Sequence, residues 1–365
     1  MAGMGGERWN QSPYEWFLRR ARQHEPRFRF RDGADFSAWK RECLPAVIAT
    51  LGELPAPVAP EAELIAEWGQ DGMTCQRWLL RVQEDFAVAC QINRPAAISD
   101  GERLPGILCW HGHTGSGKEP IMGNDSTPEL REHIAATNTD YGRQLARQGF
   151  VTFAIDWMGQ GSLDDHRKPH HRNLRPGQEW CDLFYLHATM LGTTPLAINL
   201  RHGQALLDFV CTLPFVDADR LGVMGESCGG THALWTTLID ARIRATEIIC
   251  YSDLFADFGY RDANYCGSQV TPGLFGLVDV PDLQGLIAPR PLLVDIGAYD
   301  ECFLLDSAMA CHRRLRTIYA AAGALDVLEL DLFPGGHAWG GSRSAEFFAR
   351  HLSGAVPTDN SVIGA

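Results

Sequence analysis

Apolar positions change their period along this chain, and the changes mark out its elements. Up to about residue 60 the spacing is helical. Ser12-Pro13-Tyr14-Glu15 reads as a helix start, with Ser12 as N-cap, proline at the first helical position and glutamate three residues after the cap. Trp16, Phe17 and Leu18 then supply apolar surface. A second helix is predicted from about Phe36 to Leu51, bent at Pro45 and closed by Gly52. The Pro-rich run from Pro55 to Pro60 is a stiff connector. Residues 1–60 therefore read as a helical extension that leans on a larger body.

From Glu61 the period becomes that of strands. Glu63–Trp68, Thr74–Val82 and Phe86–Ile92 alternate or run apolar and are separated by short polar turns, as in an antiparallel meander at a sheet edge. After Pro105 strands alternate with helices. Strands are expected at Ile107–His111, Val151–Asp156, Leu221–Met224, Ile248–Ser252, Pro291–Ile296 and Val327–Phe333. Helices are expected at Tyr141–Gln148, Pro195–Leu213, Gly230–Asp240, Asp306–Ala322 and Ser342–Leu352. This alternation implies an α/β domain over residues 61–352, with a mainly parallel sheet covered on both faces. Ligands of such sheets sit beyond the C-terminal strand ends. Two insertions, about 159–194 and 251–286, leave strand ends there and are expected to form pocket walls or a lid. The small, polar tail 353–365 is expected to be flexible.

The chemistry centres on Gly225-Glu226-Ser227-Cys228-Gly229, which follows a short apolar strand and precedes a helix. A serine on such a sharp turn exposes its hydroxyl at the strand's end, and the helix N-terminus behind it favours developing negative charge. A serine nucleophile needs a base, and the base needs an orienting acid. Asp300 lies just beyond the strand ending near Gly297, and His337 lies on a Gly-rich loop after the last strand. The other histidines after Ser227, namely His232, His312 and His351, fall inside helices. Ser227, Asp300 and His337 are thus the candidate catalytic residues, with Glu301 and Asp253 as fallback acids; Asp295, within a strand, reads as a buried carboxylate. Donors for an oxyanion are expected from the backbone N–H of Cys228 and from His113 in Trp110-His111-Gly112-His113-Thr114-Gly115. His111 equally suits a supporting role. Trp157, Trp180 and Tyr185 are candidates for lining a substrate pocket, and His170, His171 and Arg172 for contacting a polar or anionic part of the substrate.

Two other motifs point less well. Gly112 to Lys118 nearly spells a phosphate-binding loop, but no Ser or Thr follows the lysine and Pro120 interrupts the helix that should begin there. The acidic and histidine residues between Asp164 and His171 have irregular spacing, with Lys168 and Arg172 among them, so no metal or cofactor is expected.

Composition narrows the partners. With 45% hydrophobic and 21% charged residues the chain is ordinarily globular, and a net charge of −13 argues against nucleic acid or an anionic membrane as partner. No stretch resembles a signal peptide or a membrane span, and the eleven cysteines lack paired C-x-x-C spacing. They read as reduced thiols of a cytoplasmic protein that acts on a small molecule. If copies of the chain associate, the N-terminal extension is the expected place of contact.

Taken together, Trp110–Gly115, Asp156–Gly161, Gly225–Gly230, Leu286–Leu293 and Gly335-Gly336-His337 resemble the α/β-hydrolase superfamily, and are most similar to its dienelactone hydrolase and acetyl xylan esterase-like branch. The likeness covers roughly residues 61–352 with its motifs in family order. It implies the α/β-hydrolase fold and cofactor-free hydrolysis of a carboxylic ester, with Ser227 as nucleophile, His337 as base and Asp300 as acid. An acyltransferase or a bond-forming cyclase or lyase on the same triad is the alternative, and a catalytically silent binding protein is a remoter one.

Overall fold

The computed structural model describes residues 11–164 and 179–353. Its frame is one sheet of nine strands: β1 (Ala62–Gln70), β2 (Met73–Gln83), β3 (Phe86–Pro95), β4 (Leu104–Trp110), β5 (Val151–Ile155), β6 (Val216–Glu226), β7 (Ile243–Ile249), β8 (Leu292–Gly297) and β9 (Leu328–Phe333). They lie in the order β1-β2-β3-β5-β4-β6-β7-β8-β9. The first three form the expected antiparallel meander, turned at Asp71 and Gly72, both with positive φ as a tight two-residue hairpin requires. From β5 to β9 every neighbouring pair is parallel. The chain leaves β4 toward β5 on one side and returns to β6 on the other. The crevice beyond the C-terminal ends of β4 and β6 is therefore the topological switch point, where open α/β sheets bind ligands.

Strand alternation assigns the two faces. Leu108, Trp110, Val223, Ile248 and Val294 point toward the helices Pro195–Val210, Cys228–Ile239 and Leu305–Ala321. Ile107, Cys109, Met224, Ile249 and Leu293 point toward Tyr141–Arg147 and Ser344–His351 on the other face. The N-terminal helices form as their caps dictate. Ser12 accepts the Glu15 N–H to start Pro13–Gln23, and Asp35 accepts the Ala38 N–H to start Phe36–Ala49. Cys43, Val47 and Leu51 of the second helix and the turn after it are buried in the same core as Leu196, Leu200 and Leu234. Among the described residues no helix is long and apolar enough to cross a membrane.

Two sequence expectations shift. The seventh strand runs Ile243–Ile249, not Ile248–Ser252, because Cys250 takes a positive φ and leaves the ladder. Arg244 and Glu247 had masked its beginning. The helices Pro128–Thr137 and Trp180–Met190, and a wide π-type turn over Phe255–Arg261, fall in stretches that read as loops.

Glu247 is fully buried, accepting hydrogen bonds from Trp339 Nε1 at 3.0 Å and Ser344 Oγ at 2.7 Å. Burial pushes its carboxyl up to about 7, and burial together with the Glu247 charge holds Asp295 well above the usual range. A raised native carboxyl stabilises the fold below its unfolded value and loses that contribution as pH rises through the folded value. Stability is therefore expected to fall by a few kcal/mol as pH rises from about 4.5 to beyond 7. Glu247→Gln keeps an acceptor for Trp339 and Ser344 and removes the charge. Urea midpoints measured from pH 5 to 9 should show a flatter profile for this variant.

Candidate active site

The strand β6 delivers Ser227 at its C-terminal end. The serine adopts φ 55° and ψ −119°, a conformation that costs a non-glycine residue roughly 1–3 kcal/mol. The surroundings hold it there. Ser227 N–H donates to Ile249 O at 2.8 Å, and Ser227 O accepts from Gly230 N–H at 2.8 Å. The glycines are steric necessities: a Cβ on Gly225 would lie 2.2 Å from Gly229 O, and one on Gly229 would lie 2.4 Å from Trp110 O. The helix Cys228–Ile239 starts directly behind the serine. Its far end is tied by the half-buried Arg290 guanidinium, which donates to Asp240 O and Ile243 O beyond the last turn. A cation at that end complements the helix dipole.

Two loops beyond β8 and β9 bring Asp300 and His337 together. His337 Nδ1 and Asp300 Oδ2 are 2.9 Å apart. The other Asp300 oxygen accepts the N–H groups of Cys302 at 2.7 Å and Phe303 at 3.0 Å, so the carboxylate is fixed with one oxygen free for the imidazole. Burial works against the Asp300 charge, but the His337 contact and these two donors outweigh it and hold the carboxyl below its ordinary value. Burial likewise works against a charged His337, yet Asp300 and, more weakly, Glu226 raise the imidazole above its ordinary value. Phe303 stacks on His337 at 5.8 Å and lines the same cavity as Ser227, so the pair adjoins that cavity through Phe303. The fallback acid Asp253 is buried, with one oxygen on the Leu254 N–H, and burial pushes it up to about 7; it makes no contact with His337.

The loop after β4 passes over the serine. A Cβ on Gly112 would stand 3.8 Å from Ser227 Cβ, so the loop lies in contact distance of the serine. Beneath the loop lies a stack of rings: Trp157 is parallel to His111 at 5.2 Å, to His113 at 5.8 Å and to His232 at 5.5 Å. His111 is buried and accepts the Trp157 N–H on Nε2, which makes Nδ1 the donor to Gly112 O; burial pushes its imidazole down to about 4. It is a neutral support of the loop.

The lysine of the near-phosphate-binding motif also has its partner. Lys118 is buried, with Nζ 2.7 Å from Asp156 Oδ2 and its N–H donating to Asp156 Oδ1 at 2.7 Å. Ser162 adds N–H and Oγ–H bonds at 2.8 and 2.6 Å. Asp156 thus pins the start of the first insertion to the loop that covers Ser227. Lys118→Met strands the Asp156 charge and is expected to cost roughly 3–5 kcal/mol, whereas adding Asp156→Leu should recover much of that loss. Guanidinium unfolding of the single and double variants checks the order.

A cavity of about 100 Å³ opens beside Ser227, lined by His113, Cys181, Cys228, Cys266, Gln269 and Phe303 among others. Both insertions contribute, through residues 179–182 and 264–269. The aromatic candidates stand elsewhere. Trp157 is fully buried in the ring stack and offers a substrate no surface, which corrects its assignment to the pocket. Trp180 is buried against Phe184, and Tyr185 packs against Gly267; neither lines the cavity. Large rings were absorbed by packing, their commoner use. His170, His171 and Arg172 lie outside the described residues. Sequence reading missed Cys181, Cys266, Gln269 and Phe303, for which only their positions in or near the insertions gave a signal.

A strained serine after β6, an acid–imidazole pair after the last two strands and a glycine loop over the serine define an α/β-hydrolase. The sequence pattern of the Abhydrolase family matches residues 18–314, and the chain belongs to that family. It is 26% identical over 235 residues to YtaP of Bacillus subtilis (strain 168), a candidate hydrolase by name, covering 64% of this chain and 73% of that protein. Among solved structures it is similar to a candidate acetyl xylan esterase of Bacteroides fragilis, at TM-score 0.71 and 19% identity over 89% of this chain and 83% of that one. A glucuronoyl esterase of Solibacter usitatus superposes at TM-score 0.64 and 15% identity, over 88% and 94% of the two chains.

Proposed function

We propose that the protein is a serine-dependent carboxylic ester hydrolase for esters of small acyl groups. The observation that carries this is the 2.9 Å His337–Asp300 contact beside a serine held on a strained turn. With Asp300 on Nδ1, the Nε2 of His337 is left as the base that takes the Ser227 proton. The hydroxyl attacks the ester carbonyl, and the N–H groups of Cys228 and His113 receive the oxyanion. His337 returns the proton to the departing alcohol, and water repeats the steps on the acyl-enzyme. The esterases among its structural relatives and the hydrolase name of YtaP agree with this reading.

The cavity sets the acyl group. A space of about 100 Å³ favours a short acyl group such as acetyl over a long chain. The p-nitrophenyl ester of acetate should exceed that of octanoate in kcat/KM by about tenfold or more. Intact mass after a serine-directed fluorophosphonate tests the nucleophile. A single adduct on Ser227 with acetate turnover supports hydrolysis. An adduct without turnover of any simple ester would instead indicate transfer to another acceptor.

A further inference from the structure

Three metal-binding side chains that the hydrolysis does not use converge on the cavity beside Ser227. His113 comes from the loop after β4, Cys181 from the helix Trp180–Met190 and Cys266 from the second insertion. His113 Nε2 and Cys181 Sγ stand 3.5 Å apart, and these two atoms and Cys266 Sγ all lie within 4.8 Å of one another. A tetrahedral ion with bonds of about 2.3 Å to sulfur and about 2.0 Å to nitrogen spaces a sulfur and a nitrogen ligand roughly 3.5 Å apart. It spaces two sulfurs roughly 3.8 Å apart. The His113–Cys181 pair therefore already stands at one edge of such a tetrahedron, with Cys266 Sγ within 4.8 Å of both.

We propose that His113, Cys181 and Cys266 bind one thiophilic d10 cation of the zinc class, and that its occupancy closes the cavity to ester. Two thiolates and a neutral imidazole balance a double positive charge, and binding releases the two thiol protons with no change of oxidation state. Two sulfurs and one nitrogen favour zinc over the hard cations magnesium and calcium. The ligands are oriented from outside the site. The His113 ring rests on Trp157, and Asp182 Oδ1, which accepts the Gly267 N–H at 2.9 Å, lies 3.9 Å from Cys181 Sγ. All three side chains line the same cavity as Ser227, so a fourth ligand can be taken from that cavity. An ion with its fourth ligand there fills much of a space of about 100 Å³ and fixes the loop carrying the His113 N–H. Binding stands on this geometry alone; inhibition rests on the esterase reading.

The test uses the full chain and zinc in competition with a chromophoric chelator, alongside cobalt as a spectroscopic substitute. One zinc per chain at sub-micromolar affinity is expected, with an intense thiolate-to-cobalt charge-transfer band and tetrahedral d–d bands. Cys181→Ser and Cys266→Ser should each weaken zinc by roughly 100-fold or more, while Ser227→Ala leaves zinc affinity unchanged. In the unmodified protein zinc should suppress acetate-ester turnover and chelator should restore it, and in the cysteine variants the ratio of activities with and without zinc should approach one. The cobalt spectrum needs no variant, so a misfolded substitution does not decide the matter. An octahedral cobalt spectrum, or equal zinc affinity in the double cysteine variant, overturns the site. Zinc inhibition that persists in that variant assigns the inhibition to the Cys250–Asp300–His337 group, whose ligand atoms are equally close, and overturns the inhibitory role. A protein that binds zinc and gives the expected cobalt spectrum but turns over no ester refutes the esterase reading and leaves the metal site standing.

Discussion

Replacing Ser227 by alanine is expected to lower kcat for an acetate ester by roughly 10³–10⁶-fold. The residual rate would come from the oxyanion donors and from binding, which the substitution leaves in place. Folding should be nearly untouched, because among the described residues it is the backbone N–H and carbonyl of Ser227 that hold the elbow. The positive φ offers a second, independent readout. Alanine is as strained at 55° as serine, whereas glycine is not. Ser227→Gly should therefore be as inactive as Ser227→Ala but more stable than it, by up to about 1–3 kcal/mol. A chemical cause of inactivity and a structural one thus move stability in different directions. Full activity in a folded alanine variant would remove the serine from the mechanism.

What could be read from the sequence was local. The period switch at residue 61, the Ser12 cap and the turn at Asp71–Gly72 each depend on a few neighbouring residues, and the structure has them where the pattern indicates. The strained turn at Ser227 was legible for the same reason, since Gly225 and Gly229 are required by contacts within the turn and with the adjacent strand end. Asp300 and His337 could be nominated because each follows its own strand, and parallel strands carry their ends to one edge. Their 2.9 Å contact could not, because it depends on two loops 37 residues apart. The pocket walls were the least legible part. Cys181 and Cys266 come together only because the helix Trp180–Met190 forms in a stretch without a clear apolar period and because Gly267 lets the second insertion lie against it, with a Cβ there only 2.6 Å from Cys181 O. Trp157 failed as a pocket residue for the opposite reason. Sequence marks an aromatic at a strand end without saying which face it turns to, and here three histidine rings surround it.

On the proposed mechanism, Asp300→Asn separates orientation of His337 as base from its mere presence. Asp300 has one oxygen occupied by the N–H groups of Cys302 and Phe303, so those donors will keep the asparagine oxygen. The amide nitrogen must then face His337 Nδ1 and, being a donor, forces that nitrogen to accept. The proton moves to Nε2, the atom that has to receive the Ser227 proton, and kcat should fall by about 10⁴. The pH dependence should change as well. In the proposed mechanism His337 would act as a base only when neutral, and Asp300 is the main group raising its proton affinity. In the unmodified enzyme the rise of kcat/KM with pH should centre above the value of an unperturbed histidine, and in Asp300→Asn the limb should move to lower pH. Glu226 supplies the control. Its buried carboxyl accepts a 2.6 Å bond from Thr139 and adds only a minor charge effect on His337. Glu226→Gln should shift the limb slightly in the same direction while sparing most of kcat. If Glu226→Gln lost as much as Asp300→Asn, the orienting acid would have to be reassigned to Glu226.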